Sequence, residues 1–587
     1  MKEIIHQAIK KALEELGITG VDFVVEHPAD MTHGDYASNV AMVAMRTVAK
    51  EATVELGTKI RTHEVMGGRY GENINASWSS PRDLAEVIKS RLDGKIAHVA
   101  SVEIAGPGFL NFTLTRDFFV EKIAQAHTAG DTYGKNDALK GEEIIFEYTS
   151  PNLFKPLHIG NLVGNIVGES VSRLTEWSGA TLHRVNYPSD IGLTVAKGVW
   201  GLQTMGGDPH DINAIGDAYR RGNEAYEDGS AKEEIEAVNR ALYEGNNEEL
   251  NTLRETGIET SRKHLGELCR MLGTQFDAEI FESEVSEEGT RIVREKIGTV
   301  FEESNGAVIF RGERHGLHTR VFQNSQGLPT YEAKDVGNFA KKQTLFPEWT
   351  QSFVVTGGEQ REYFKVLIAA LKEVFPETKE KVIEHIPTGF LTLTTGKMSS
   401  RKGNVLTGED LIAEVREEAR ERAKESRAEN IEELTEQVAV GAIKYQILRQ
   451  AVGSDIVFDK ARALSLEGDS GPYLMYTHAR LTSILEKAKS AGLAPSTAHA
   501  PEVPYGIEKV VYQFEEVVAY AERERAPHVL VTYLTALASE FNSFYAHEQI
   551  VDLNDPHAPY KLALASATKT VLKNGLHLLG IPAPEKM

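Results

Sequence analysis

Residues 144–161 read Ile144-Ile145-Phe146-Glu147-Tyr148-Thr149-Ser150-Pro151-Asn152-Leu153-Phe154-Lys155-Pro156-Leu157-His158-Ile159-Gly160-Asn161. The apolar run at its start is the pattern of a short buried strand. Polar, proline-containing chain follows as a turn, and then Leu162, Val163, Ile166, Val167, Val171 and Leu174 recur at helical spacing until Gly179 can close the helix. A strand handing over through a polar turn to a helix start aims backbone N–H groups and the positive end of the helix dipole at one point, which is an anion site. His158 and Asn161 lie three apart on one helical face and can both donate to a bound group. Gly160 lets a planar base or a phosphate approach the backbone.

Outward from that segment, His183–Tyr187, Ala307–Phe310 and Ser352–Thr356 read as further strands with helical stretches between them. Strand-turn-helix alternation predicts a parallel, doubly wound α/β sheet over 141–405, and the polar, helical stretch near 205–300 reads as an insertion. On the N-terminal side, Ile4, Ile5, Ala8, Ile9, Ala12, Leu13 and Leu16 mark a helix stopped by Gly17. Alternating segments then lead to Gly106-Pro107-Gly108-Phe109-Leu110-Asn111-Phe112. Residues 1–115 are therefore expected to form an α+β domain, and 116–140, helical and then glycine-containing, a linker. On the C-terminal side, Thr407 and Asp410 have capping-box spacing and open a charged connecting helix over 406–435, where Glu418 and Arg422 stand at i,i+4. Residues 436–587 read as a helical bundle.

Composition narrows the function classes. The chain has 587 residues, 41% hydrophobic and 26% charged, which excludes collagen-like and wholly disordered classes and predicts several domains. The sequence contains no long apolar run and no signal-peptide pattern, and Cys269 is the single cysteine. A cytoplasmic protein is expected, without a disulfide framework or a thiolate zinc site; no metal site is expected either, and His315-x-x-His318 reads as a surface loop. The net charge of −22 disfavours indiscriminate binding to polyanions, although 441–587, with 14 basic and 16 acidic residues, is nearly neutral.

A second segment, Gly396-Lys397-Met398-Ser399-Ser400-Arg401-Lys402-Gly403-Asn404, packs cations and hydroxyls between glycines, as a loop that closes on polyphosphate would. It lacks the spacing of a Walker A loop. Together, His158-Ile159-Gly160-Asn161 and Lys397-Met398-Ser399-Ser400-Arg401 resemble the paired HIGH and KMSKS motifs of class I aminoacyl-tRNA synthetases. The extended context before His158, the Tyr331-Glu332-Ala333-Lys334-Asp335 stretch, the Phe109–Phe112 segment and the C-terminal Leu578–Met587 resemble the arginyl-tRNA synthetase family in particular.

That resemblance implies a Rossmann-like catalytic domain, a tRNA-contacting N-terminal domain and an anticodon-binding helical bundle. It implies ATP, with Mg²⁺, as cofactor, and L-arginine and tRNA(Arg) as partners, in a monomeric protein without membrane association. His158, Asn161 and Lys397 would be catalytic. ATP would be held by Ser150, Lys155, His158, Gly160, Asn161, Lys397, Ser399 and Ser400. Asp335 matches the family's guanidinium-binding aspartate and Tyr331 its partner. Asn152 and Gln360 match positions that bind the α-amino end, and Glu282 is a candidate second carboxylate. Tyr36 and Asn39 in the N-terminal domain, and Tyr473, Tyr476 and Arg480 in the bundle, would contact tRNA by stacking and hydrogen bonding. Two departures stand out: Asn161 replaces the second histidine of HIGH, and Ser400 replaces the second lysine of KMSKS, with Arg401 one position on.

Rival readings differ in what they require. A synthetase for another amino acid would not need Asp335 and Tyr331. A catalytically silent tRNA-binding paralogue should have lost His158, Lys397 or Asp335, and a small-molecule nucleotidyltransferase would not need the two flanking domains.

Overall fold

The computed structural model describes residues 1–47, 78–394, 407–423 and 430–587, and these form two compact units. The larger comprises Asp131–Lys487, Val517–Asn542 and Thr568–Met587. At its centre are five strands: β1 (Glu143–Glu147), β2 (Thr181–Asn186), β3 (Ala278–Glu279), β4 (Gln351–Gly357) and β5 (Val382–Thr388). They lie in the order β5-β4-β1-β2-β3, every neighbouring pair parallel. The chain winds outward in both directions from β1, so the sheet is doubly wound and its order reverses between β1 and β4. Ligands of such sheets bind beyond the carboxyl ends of the strands at this switch point.

Ile144, Ile145 and Phe146 are buried within β1, and Phe146 stacks on Phe353 of β4 with ring centroids 5.0 Å apart. The helix after β1 spans Ile159–Trp177 and packs closely on the sheet side. A Cβ at Gly168 would lie within 2.5 Å of the Tyr148 ring. Its far end holds other parts of the same unit. Arg173 donates to Glu169 (2.7 Å) and to the carbonyls of Gly273 (2.7 Å) and His577 (2.8 Å), and Ser170 donates to the Leu578 carbonyl at 3.1 Å. Lys444, fully buried, donates to the carbonyls of Leu272 (2.6 Å) and Gly580 (2.8 Å). These donors bond carbonyls just past or at the C-terminal ends of the Glu248–Met271 and Ala558–Leu578 helices.

Two sequence expectations change at the sheet. Ala307–Phe310 is a strand, but it belongs to a separate antiparallel sheet with Glu302–Ser304 and Arg320–Gln323. The parallel sheet instead takes Val382–Thr388, whose alternation is broken by Glu384, His385 and Pro387, and the two-residue edge Ala278–Glu279. The 205–300 stretch is mostly helical, with helices Ile212–Glu227, Lys232–Glu244 and Glu248–Met271. They share a core of Phe154, Trp200, Ile215, Ile235 and Leu242. Leu193–Met205 crosses Ile212–Glu227 in backbone contact: a Cβ at Gly201 would meet the Ala218 carbonyl at 2.1 Å, and one at Gly222 the Lys197 carbonyl at 2.0 Å. Thr407 and Asp410 exchange hydrogen bonds (3.0 and 3.2 Å) at the start of the Gly408–Ala423 helix, as their spacing predicts, and Arg422 donates to Glu418 at 2.8 Å.

The smaller unit comprises Met1–Gly130, Ala488–Glu516 and Ser543–Ala567. Its antiparallel sheet has the order Val25–Glu26, Tyr36–Ser38, Phe109–Leu114, Val99–Ala105. Helices Lys2–Glu14, Pro81–Leu92 and Arg116–Ala129 bury Ile5, Ile9, Leu84, Ile88, Phe118 and Phe119 in one core with Phe112 and Tyr512. The helix expected to begin a linker thus carries two phenylalanines into this core, and residues expected as one C-terminal bundle contribute to both units. Tyr36, read from sequence as a tRNA contact, is wholly buried, and its hydroxyl donates to Glu516 at 2.7 Å. No part of its ring is available for stacking. Asn39 uses its side-chain oxygen to accept the Val24 N–H at 3.2 Å.

Candidate active site

The carboxyl ends of β1, β4 and β5 and the turn after β2 surround a cleft of about 640 Å³. Ser150, Asn152, Lys155, His158, Gly160 and Asn161 line it from the β1 side, and Glu282, Tyr331, Asp335 and Gln360 from the other elements. Of the thirteen residues expected to hold ATP or arginine, the ten within the described chain meet at this one cleft. Lys397, Ser399 and Ser400, with Arg401, lie outside the described residues.

The turn after β1 is held in an unusual backbone conformation. Thr149 and Ser150 have φ of 76° and 38°, a left-handed region that costs a non-glycine residue roughly 1–2 kcal/mol. Three asparagines hold it there. Asn161 donates to the Thr149 carbonyl at 2.7 Å, Asn165 to Thr149 Oγ1 at 2.9 Å, and the Ser150 N–H donates to Asn186 Oδ1 at 3.1 Å. Asn161, expected as a donor to substrate, therefore commits one amide hydrogen to the turn and keeps the other. Phe154, also at positive φ (63°), is clasped by Gly198 and Gly257, where a Cβ would come within 2.6 and 2.2 Å of its ring. The segment carrying Asn152, Lys155 and His158 is anchored on the helical insertion through this ring.

His158 is the N-cap of the Ile159–Trp177 helix, and its Nδ1 accepts the Gly160 N–H at 3.1 Å. An accepting Nδ1 is unprotonated, so the neutral ring carries its hydrogen on Nε2, where it is a donor. Burial and the nearby Lys155 push the His158 pKa below the ordinary histidine value. Lys155, whose own pKa is lowered by burial and by Lys197, has no ion-pair partner among the described residues. The β1 side of the cleft thus presents a cation, a fixed N–H donor and a helix N-terminus.

The opposite end is acidic. Glu147, buried, accepts from Lys342 (2.7 Å) and Asn338 (2.9 Å), and buried Glu282 accepts from Lys334 at 2.6 Å. Asp335 has no cationic partner among the described residues and accepts a short hydrogen bond from Tyr363. Burial raises its pKa to about 8, against the lowering effect of Tyr363, with Glu147 and Glu282 adding to the rise. Three carboxyl groups face two lysines at this end, and Asp335 is the one left without a cation among the described residues. Tyr331, one helical turn before Asp335, is 60% exposed at the mouth.

Sequence reasoning missed Tyr363 and Tyr187. Tyr187 lines the cleft, and its buried hydroxyl has no partner among the described residues. Nothing in their spacing marks either: Tyr363 follows Asp335 by 28 residues and reaches it from another helix, Arg361–Val374. Asp190 supports the wall. It accepts from Arg254 (2.5 Å) and from the N–H and hydroxyl of Ser283 (2.9 and 2.6 Å), fixing the start of the helix that bears Glu282. A second cleft of about 470 Å³ shares Asn152, Lys155 and Pro156 with the first. Within its lining His264 and Glu409 pair at 3.1 Å, and Glu409 accepts the Leu157 N–H at 3.0 Å.

Away from the cleft, Tyr473, Tyr476 and Arg480 share one face of the Gly471–Ser490 helix. The Arg480 guanidinium lies 4.8 Å from the Tyr476 ring centroid and donates to Asn542, which donates to Tyr473 at 2.9 Å. All three are half-buried. His315 pairs with Glu373 at 2.6 Å and His318 accepts from Arg320 at 3.0 Å, in the surface turn expected for them. Among the described residues no helix is long and apolar enough to cross a membrane.

A doubly wound parallel sheet with a histidine-capped helix at its switch point, facing an acidic pocket, defines a class I tRNA synthetase catalytic domain. The family description "tRNA synthetases class I (R), catalytic domain" matches residues 122–460, "DALR anticodon binding domain" matches 474–587, and "Arginyl tRNA synthetase N terminal domain" matches 1–114. The arginine–tRNA ligase of Lactococcus lactis subsp. lactis is 30% identical over 604 residues, covering 100% of both chains. That of Borrelia hermsii is 30% identical over 85% of this chain and 89% of the relative. The Thermus thermophilus arginyl-tRNA synthetase structure matches all of both chains with a TM-score of 0.76 at 24% identity, a likeness of fold. The chain belongs to the arginyl-tRNA synthetase family, and its activity is arginine–tRNA ligation.

Proposed function

We propose that the cleft activates L-arginine with ATP and passes it to the 3′ end of tRNA(Arg), with the residues divided as the geometry divides them. The observation that carries this reading is the unpaired carboxylate of Asp335 at one end of a cleft whose other end presents Lys155, His158 and a helix N-terminus. A guanidinium is always charged and is best held by a carboxylate that accepts two of its hydrogens. Asp335 is that acceptor, Tyr331 covers it from the mouth, and Glu282, neutralised by Lys334, shapes the wall. Asn152 and Gln360 hold the α-amino end.

A carboxylate oxygen of arginine then attacks the α-phosphorus of ATP. The bond from that phosphorus to the oxygen bridging to the β-phosphorus breaks, and pyrophosphate leaves. Negative charge grows on the phosphate oxygens in the transition state, and donors fixed in advance are what such a step requires. The Nε2–H of His158, the free amide hydrogen of Asn161 and Lys155 supply them, with Ser150 and Gly160 beside the nucleotide and Lys397, Ser399 and Ser400 closing on the leaving pyrophosphate. In the second step a ribose hydroxyl of the tRNA attacks the arginyl carbonyl and AMP leaves. Mg²⁺ enters as the counter-ion of ATP, part of the substrate. Tyr473, Tyr476 and Arg480 remain the proposed tRNA contacts of the helical region, and the enzyme acts as a cytoplasmic monomer.

ATP–pyrophosphate exchange with each of the twenty amino acids, run with and without tRNA, tests the reading. Exchange with arginine alone is expected. Exchange with a different amino acid would remove Asp335 from its role, and none under any condition would leave a tRNA-binding protein without catalysis.

A further inference from the structure

Behind Asp335, away from the cleft, the fold leaves a small cavity of about 20 Å³, lined by Glu147, Asp335, Asn338, Lys342, Ser352 and Glu384 among others. Two of its wall atoms are orphaned. Ser352 on β4 is 1% exposed and Asn338 3% exposed, and neither Ser352 Oγ nor Asn338 Oδ1 has a hydrogen-bond partner among the described residues. The orientation of the asparagine is fixed by chemistry: its Nδ2 donates to Glu147 Oε2 at 2.9 Å, where an oxygen would face a carboxylate. Its carbonyl oxygen is therefore turned away from Glu147 and left to find a donor elsewhere.

We propose that this cavity is a resident-water site, and that the water held between Asn338 and Ser352 supports Asp335 as the guanidinium-binding carboxylate, an inference that rests on the arginine reading above. A cavity needs only about 10–15 Å³ of this kind of volume to hold one water, provided two to four polar groups meet it. Both conditions are present, and leaving two polar groups buried without partners is costly. The water donates to Asn338 Oδ1 and exchanges a hydrogen bond with Ser352 Oγ, which leaves it further bonds to make against carboxylates in the same wall. A donor on the side remote from substrate favours the ionised form of Asp335, the form a guanidinium requires. The charged and titratable groups packed around Asp335 are Glu147 from β1, Tyr187 after β2, Glu282 and Tyr363 from their helices, Tyr331 and Lys342 from its own helix, Arg320 from the antiparallel sheet and Glu384 from β5. Among them only Tyr363 donates to Asp335. Ser352 and Asn338 are thus positioning residues, one layer behind the substrate.

The test uses the full chain with Ser352→Ala, Ser352→Thr and Asp335→Asn, together with a high-resolution crystal structure of the unmutated protein. Density for a water in the cavity is expected. Ser352→Ala is expected to raise the KM for arginine about tenfold, the scale of one buried hydrogen bond, and to move the pH above which that KM levels off upward, leaving the KM for ATP unchanged. Ser352→Thr, which returns a hydroxyl, should recover both. A dry cavity overturns the proposal, as does an arginine KM in Ser352→Ala that matches wild type, or equal behaviour of the alanine and threonine variants. If these failures occur while Asp335→Asn still raises the arginine KM, the water site falls and the arginine reading stands. An unchanged arginine KM in Asp335→Asn removes both.

Discussion

The Nδ1 of His158 accepts the backbone N–H of Gly160 at 3.1 Å, so the residue that opens the catalytic helix is also its cap. The cap sets the tautomer and leaves the one N–H of the neutral imidazole, on Nε2, free to donate. His158→Ala removes both functions and is expected to lower kcat for arginine activation about 10²–10³-fold, the scale of one lost transition-state donor. The His158 pKa lies below the ordinary histidine value, so the neutral, capping form prevails at neutral pH. Acid protonates Nδ1 and breaks the cap. The acid limb of kcat should therefore fall below the usual histidine range, and a limb above that range in pyrophosphate-exchange profiles contradicts the assignment.

Asp335 makes arginine binding depend on pH in a direction fixed by its shift. Burial raises it to about 8, so the empty cleft holds a proton there at neutral pH, and a guanidinium must displace it. The KM for arginine should fall roughly tenfold per unit as pH rises toward about 8 and be flat above it. In the unliganded protein the raised pKa works against the fold: stability present at low pH declines as pH rises from the ordinary carboxylate range through about 8, and arginine should restore it most on the alkaline side. An arginine KM that does not change across that window rules out Asp335 as the ligand.

Tyr363→Phe keeps the ring packed and removes the one protein donor to Asp335 among the described residues. Since that hydrogen bond lowers the Asp335 pKa, its loss should move the whole arginine profile to higher pH and raise the KM at neutral pH about tenfold. The KM for ATP is the internal control. A profile unmoved in the phenylalanine variant would show that the hydroxyl serves only packing.

Gly257→Ala places a methyl within 2.2 Å of the Phe154 ring. Overpacking of this kind costs about 1–3 kcal/mol, and here the displaced ring anchors the segment between Asn152 and His158. Lower thermal stability together with a reduced kcat is expected. Phe154→Ala should lower kcat likewise, by emptying the same socket. A stability loss with full activity would mean that the segment holds its course without this anchor.

The halves of this architecture were unequally legible. β1, its turn and the following helix were readable because an apolar run, a proline turn and helical periodicity occur in sequence. Ala307–Phe310 is legible as a strand, but its place in a separate antiparallel sheet is not, because periodicity records burial and not partnership. Val382–Thr388 was missed, since Glu384, His385 and Pro387 interrupt its apolar pattern on the sheet edge. At the site, motif spacing located His158 and, through family resemblance, Asp335. Tyr187 and Tyr363 depend on elements distant in sequence coming together. Tyr36 shows the same limit in reverse: a tyrosine in sequence carries no mark of whether its ring faces solvent, and here Glu516 takes its hydroxyl in the core.

The grip of Arg173 and Lys444 on the carbonyls of Gly273, His577, Leu272 and Gly580 has a practical consequence for anyone altering this chain. A deletion of the last dozen residues, which by sequence looks like trimming a tail, would strip the His577 carbonyl from the Arg173 guanidinium and the Gly580 carbonyl from the buried Lys444 amine. Leaving a buried donor without its acceptor costs about 1–3 kcal/mol, and the damage would enter at the rear of the helix whose front carries His158. Tags or labels belong at the exposed Val503 or Leu553, where nothing of this kind depends on the backbone.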